Sequence, residues 1–450
     1  MTQALTGIAV YRAGNLTGRI TNAAIYAVAV LLFLTLASST AWAQGLPTKS
    51  CTVNGTTIQA YLCLDDIVVV DGSGYNGSGL APSDPNFNGK KVGGIYLVDP
   101  TSGNQTPIST GGYLGQAANL TLEPGTGKLL ASTRTYGVIR VDPKDGSQEV
   151  LLKGGTGWGT GFPTFVAAGT DGTTVTESFI YPGGITIDPM DSSILVTDTG
   201  IRLNACTDPN NITTCASDPG KIIRIKKGQG AGVYAGNAIV AKGGFLSDPF
   251  DLVVDGGSSL YVTDMNAVLG GAADPGKGGV IYLNASTNPP YQQSVFFSSY
   301  AQNPSTIPYG CPMGITINAL GTIFATVFTF NGYGCAPQAV FSLTPGANPP
   351  TVSTVVNGFP FQYPFGMYPD RSGRILIADE GSGYGCGGTI FRLDLSKPIV
   401  TSGSLTDLNP FALSPIAGGN GSSTPCTPPN QAYLVTPADV AVEGRCCRKH

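Results

Sequence analysis

The residues best suited to chemistry in this chain are acidic, and they recur at fixed places. Asp71, Asp198, Asp264 and Asp379 each close a short apolar run, and Glu380 follows the last of them. Asn119, Asp251 and Asp439 stand two residues after an alanine or proline that opens another apolar run. Oxygen donors of this kind suit calcium where they converge, because that ion takes six to eight oxygen ligands. An Asp repeated at one position also has a structural use, accepting backbone N–H groups of a turn. A second recurring element is a tyrosine between glycines. Gly74-Tyr75-Asn76-Gly77, Gly332-Tyr333-Gly334 and Gly383-Tyr384-Gly385 are joined by Tyr309-Gly310 and by Trp158. Such rings serve to stack on a sugar or an apolar ligand, or pack as lids on the protein's own surface.

Other chemistries are excluded by composition. The only histidine among 450 residues is His450, in a basic end with Arg448 and Lys449. A Ser-His-Asp hydrolase and a histidine-dependent lyase therefore lack their base. Ten cysteines occur without a C-x-x-C pair, so a Cys/His zinc site is not expected. The net charge of −4 with no basic run argues against a nucleic-acid partner.

These residues sit on short strands. Charged residues make up only 12% of the chain, while it holds 63 glycines and 33 prolines, the composition of many turns. The strands repeat as a unit. Pro182-Gly-Gly-Ile-Thr-Ile-Asp188 leads to Ile194-Leu-Val-Thr-Asp198 and Lys221-Ile-Ile-Arg-Ile225. Copies begin at Pro249, Pro312 and Pro364, and a weaker one at Asn119. A fourth strand follows in most units, the make-up of a propeller blade. The chain ends on a first strand without a second, Pro437-Ala-Asp-Val-Ala-Val442. It starts on second and third strands without a first, Ile67-Val-Val-Val-Asp71 and Ile95-Tyr-Leu-Val-Asp99. Joined, they complete a sixth blade. The expected fold class is all-β, a six-bladed β-propeller closed by pairing of N- and C-terminal strands, spanning residues 65–444.

Residues 1–43 read as a signal peptide. Arg12 and Arg19 precede the apolar run 23–36, and Ala41-Trp42-Ala43 fits the cleavage pattern. Residues 44–64 form a lead-in and 445–450 a basic Cys-containing tail. The implied location is secreted, periplasmic or cell surface, with no transmembrane span after cleavage. The cysteines are then expected as disulfides. Cys206 with Cys215, Cys311 with Cys335 and Cys386 with Cys426 share loops or neighbouring loops. A bridge from Cys63 to Cys446 or Cys447, with Cys51 taking the other, would lock the ring.

The pattern Pro-x-Gly-Ile-x-Ile-Asp, Leu-Tyr-Val-x-Asp and Ile-x-Arg-Ile resembles NHL repeats and the wider six-bladed group of SMP-30 gluconolactonase-like proteins. That resemblance implies, in the lactonases, Asn or Asp ligands placed just before the Gly-Leu of the inner strands. Here those positions are Gly183, Phe250, Met313, Phe365, Ala438 and Ala118. The expected function is accordingly an exported NHL-like binding module, with a polysaccharide, peptide or protein on its long-loop face through Tyr75, Trp158, Tyr309, Tyr333, Tyr384 and Glu380. The alternative is a calcium-dependent hydrolase or lactonase with Asn119, Asp251 and Asp439 around the ion.

Overall fold

The computed structural model describes residues 45–442 apart from 54–55, 64, 73–92, 156, 158–161, 201–218, 268–277, 287–288, 299–310, 329–338, 347–349, 358–360, 362, 381–387, 398–412 and 419–436. A hairpin of β1 (Lys49–Val53) and β2 (Thr56–Ala60) comes first. Blade 1 then takes β3 (Ile67–Asp71), β4 (Gly94–Val98) and β5 (Gln105–Thr110). Blade 2 is β6 (Ala117–Leu122), β7 (Leu129–Thr133), β8 (Gly137–Val141) and β9 (Gln148–Lys153). A hairpin of β10 (Thr164–Ala168) and β11 (Thr174–Ser178) precedes blade 3. That blade is β12 (Pro182–Ile187), β13 (Ile194–Asp198), β14 (Lys221–Lys227) and β15 (Tyr234–Lys242). Blade 4 is β16 (Pro249–Val254), β17 (Leu260–Asp264), β18 (Gly279–Asn284) and β19 (Gln292–Ser298). Blade 5 is β20 (Cys311–Ile317), β21 (Ile323–Phe328), β22 (Ala339–Thr344) and β23 (Thr351–Asn357). Blade 6 is β24 (Pro364–Pro369), β25 (Ile375–Asp379), β26 (Thr389–Leu393) and β27 (Leu413–Gly418), and β28 (Pro437–Val442) ends the ring.

Closure follows the expected route. β28 pairs antiparallel with β3, from Val442 opposite Ile67 to Pro437 opposite Asp71. The inner strands β6, β12, β16, β20, β24 and β28 pack each beside the next, and β28 returns beside β6. The strands are apolar because both sheet faces are covered by neighbouring blades. Val68, Val69 and Val70 of β3 are wholly buried, as are Ile222 and Ile223 of β14. At roughly 25 cal/mol per Å2 of apolar surface, this interleaved core is the main source of stability.

Two features were not legible from the repeat. Blade 3 is extended to six strands, because β10 adds to β15 in parallel through Ala168 and Ala238. The second is a correction: Cys51 bonds to Cys63 across a separation of 12 residues, so neither reaches Cys446 or Cys447. The bond staples the first hairpin instead. β1 and β2 bring the two cysteines to a Cα separation of 5.3 Å, the ordinary disulfide span. Cys311 is disulfide-bonded. Cys206, Cys215, Cys335, Cys386, Cys426, Cys446 and Cys447 lie outside the described residues. Ring closure therefore rests on hydrogen bonds and packing around β28, not on the Cys51–Cys63 bond.

Candidate functional site

The recurring prolines and acids are explained by one local device. Each second-strand Asp stands opposite the proline that opens the inner strand: Asp71 opposite Pro437, Asp198 opposite Pro182, Asp264 opposite Pro249 and Asp379 opposite Pro364. Proline has no N–H for the ladder, so the chain before it must find other acceptors. Asp198 takes the N–H of Ile180 at 3.1 Å and of Tyr181 at 2.9 Å. Asp264 takes Ser247 at 2.7 Å and Asp248 at 3.0 Å. All four aspartates are buried; Asp198 and Asp264 clamp the loops that join one blade to the next, and Asp379 takes the N–H of Tyr363 at 3.4 Å. Burial and the nearby charge of Asp248 push the Asp264 carboxyl up to about 7.

The inner strands carry a second device. Each of the six bears a β-bulge in its first residues, as between Pro249 and Asp251 or Pro437 and Asp439. A bulge takes backbone groups out of the ladder and re-aims a side chain. Here the freed amides meet Asn119, Asp251 and Asp439. Ile185 N–H donates to Asn119 Oδ1 at 3.3 Å, Ile315 N–H to Asp251 Oδ2 at 3.0 Å and Leu120 N–H to Asp439 Oδ2 at 2.9 Å. In each case the donor belongs to the next blade round the ring. Leu252 N–H reaches Asp251 Oδ1 at 2.8 Å, and Val440 N–H bonds Asp439. Asn119 Nδ2 crosses from blade 2 to blade 4 and donates to Asp251 Oδ1 at 3.1 Å. Gly184 and Gly366 stand where any side chain would overlap Asp251 and Asp439 respectively. The three residues thus come together as a belt across the channel.

This belt does not fit calcium. Both oxygens of Asp251 and the oxygen of Asn119 already face N–H donors. The groups directed at them are the positive ends of amides, whereas a calcium cage needs six to eight oxygens. Among the described residues no group of three or more His, Cys, Asp or Glu is placed to hold a metal ion. Burial, outweighing its three donors, pushes the Asp251 carboxyl up to about 7. The Asp439 carboxyl is raised well above its ordinary value, first by burial and then by Asp251 across the channel. Two buried like charges cannot both be ionised cheaply, so the pair retains a proton near neutrality.

One residue toward the long-loop face lies an apolar layer. Phe250, Met313 and Phe365 pack with Met265 and Cys311, all buried. The rings of Phe250 and Phe365 lie 5.7 Å apart. The Arg134 guanidinium sits 5.4 Å over the Phe250 ring. Arg134 and Glu380 both keep partial solvent access. Burial of the Glu380 carboxyl, opposed by Arg134 and reinforced by Asp71 and Asp379, pushes it up to about 8. Arg134 and the Phe250–Met313–Phe365 layer escaped the sequence reading as site residues. The signal was present: three of six equivalent positions carry large apolar side chains facing the channel mouth. Tyr75, Trp158, Tyr309, Tyr333 and Tyr384 lie outside the described residues.

Six four-stranded blade cores with one blade shared by the two chain ends are the architecture of a six-bladed β-propeller. No protein-family model matches the sequence, and no curated protein does. Solved structures of similar fold include a "putative 6-phosphogluconolactonase" from Bacteroides uniformis, 13% identical over 84% of this chain and 99% of that one, with a TM-score of 0.43. A "putative gluconolactonase" is 13% identical over 61% and 73%, with a TM-score of 0.36. The pyranose dehydrogenase PQQ domain of Coprinopsis cinerea is 11% identical over 71% and 85%, with a TM-score of 0.38. At these values the likeness concerns the fold, and activity must be argued from the site.

Proposed function

We propose that this chain is an exported, non-catalytic propeller that binds a polysaccharide, peptide or protein on its long-loop face. The observation that supports it most is the layer of Phe250, Met313 and Phe365 over the amide belt. At the positions where a metal-dependent propeller lactonase resembles its relatives in carrying oxygen ligands, this chain carries side chains that cannot ligate. Below them, the polar residues are engaged with the backbone. Recognition then falls to the rim, where Arg134 keeps partial solvent access beside an aromatic surface and Glu380 lies behind it with a buried carboxyl. Aromatic faces next to a few polar groups are the usual lining of a ligand site.

The test is a glycan and peptide array probed with the mature chain, with and without a chelator. Binding that survives chelation and is weakened by Arg134→Gln agrees with the proposal. Calcium-dependent hydrolysis of a lactone, lost in Asp251→Ala, would overturn it in favour of the hydrolase reading. Export is tested by recovering the chain outside the cytoplasm with its N-terminus at Gln44.

A further inference from the structure

On the opposite, short-loop face, the third strands of blades 2, 3 and 6 place an arginine at one register position. Arg140, Arg224 and Arg392 pair there with Leu130, Leu195 and Leu376 of the second strands. In two blades the terminal guanidinium nitrogens are engaged by acids and by the next blade, although among the described residues the Nε of Arg140 is buried without an acceptor. Arg140 holds Glu123 at 3.0 Å and Glu149 at 2.8 Å, and lies 5.4 Å over the ring of Tyr234 from blade 3. Tyr234 completes the clasp by donating to Glu123 at 2.6 Å. Arg224 holds Asp188 at 2.7 Å and Asp191 at 2.9 Å, and donates to Tyr291 of blade 4 at 2.9 Å.

Blade 6 breaks the pattern. Its acid at the position of Glu123 and Asp188 is Asp370, and Arg374 takes it at 2.6 Å. The strand residue opposite Arg392, where blade 2 has Glu149, is Ser414. Among the described residues Arg392 has neither a hydrogen bond nor an ion pair, and its Nε is buried without an acceptor. A second orphan belongs to the blade on the other side of that seam. Gln148 and Gln293, at one register position near the start of the fourth strands of blades 2 and 4, secure the preceding blade's exit loop, accepting from Tyr113 at 2.7 Å and Phe245 at 2.9 Å. Gln105 holds the same position in blade 1, but its Oε1 is buried and unpartnered.

A third contact is missing at the same seam. Ser132, Thr197, Thr263 and Thr326 each donate to a carbonyl of the next blade's inner strand, at Gly183, Phe250, Met313 and Phe365. Blade 6 has Ala378 in that place, and blade 1 has Val70, so the seam of blades 1 and 2 lacks this contact as well.

We propose that Arg392 is a recognition residue for a carboxylate, bound at the seam of blades 6 and 1, which completes there the clasp that Glu123 and Asp188 complete elsewhere. A planar guanidinium with no acceptor matches a carboxylate in two parallel bonds. The neighbouring Arg374 adds to the positive field, and burial with that charge lowers the proton affinity of Arg392. An anion relieves both. Because it spans two blades, the ligand stabilises the ring and reads out as thermal stability.

The experiment uses the mature chain, with sodium acetate or an acidic peptide against sodium chloride at equal ionic strength. Wild type should show a saturable rise in Tm, about 2 °C at tenfold excess over Kd, absent in Arg392→Gln and reduced in Arg392→Lys. Response to acetate and peptide alike points to any carboxylate; response to peptide alone points to an acidic partner chain. Equal shifts in wild type and both variants, no shift in wild type, or a crystal structure grown in acetate with only water on the Arg392 Nε would overturn the proposal.

Discussion

Replacing Asp251 by asparagine separates a protonated belt from a metal centre. The Asp251 carboxyl titrates at about 7 in the folded chain, against an ordinary value of 3.8. Its folded value is raised, so its contribution to stability is complete below the unfolded value and is lost as pH rises through the folded one. The shift covers roughly three pH units at about 1.4 kcal/mol each, so the wild type loses about 4 kcal/mol through this group between pH 4 and pH 7. Asparagine keeps the shape and cannot ionise. It costs about 1–3 kcal/mol where its amide replaces an oxygen facing the N–H of Ile315. It also relieves Asp439 of its neighbour's charge. The variant should therefore be the less stable protein at pH 4.5, and should equal or exceed the wild type at pH 7.5. Urea unfolding across that range gives the difference for the coupled pair, since the titrating groups other than Asp251 and Asp439 are common to both. If Asp251→Asn is destabilised by the same amount at every pH, the carboxylate is ionised in the fold and the shared-proton account fails. Loss of stability on adding a chelator to the wild type alone would revive the cation.

The inter-blade hydroxyls allow a paired test. Thr263→Val preserves volume but strands the Met313 carbonyl and the Asp251 N–H, costing about 1–3 kcal/mol. With roughly 2 cal/mol/K of unfolding entropy per residue over some 400 residues, 2 kcal/mol lowers Tm by about 2–3 °C in calorimetry. Val70→Thr, at the corresponding place in blade 1, should raise it by about 1 °C if the new hydroxyl reaches the Ala118 carbonyl. Reducing Cys51–Cys63 should cost about 3 kcal/mol or less on the loop-entropy model. Hydrogen exchange should then quicken over residues 46–62 while β28 and β3 stay protected, since the bond does not span the closure. Phe250→Ala should weaken any ligand on the long-loop face at least tenfold and lower stability by about 3–5 kcal/mol, which binding and unfolding titrations separate.

Much of the architecture could be read along the chain because blade strands are local and their order is their sequence order. The unpaired strand at 437–442 and the incomplete blade at 67–99 demanded each other, since a blade lacking its inner strand exposes both backbone and core. The clamp role of Asp198 and Asp264 was legible in outline, as an Asp repeated beside turns. The belt was not. A bulge adds one residue to a strand without changing its composition, so the inward turn of the Ile185, Ile315 and Leu120 amides leaves no trace in the alternation of side chains. Calcium therefore looked as suitable a partner for Asn119, Asp251 and Asp439 as the backbone that occupies them.

What the sequence determined on its own was the blade, the number of blades and the place where the ring shuts, because hydrophobic runs and turn residues carry that information residue by residue. Only the tertiary structure decided which polar atoms meet. Cys51 meets Cys63 because one hairpin brings them together, and Arg392 forms no ion pair with Asp370, which Arg374 holds at 2.6 Å. Pairing depends on distances and directions across blades, and no spacing along a chain specifies those.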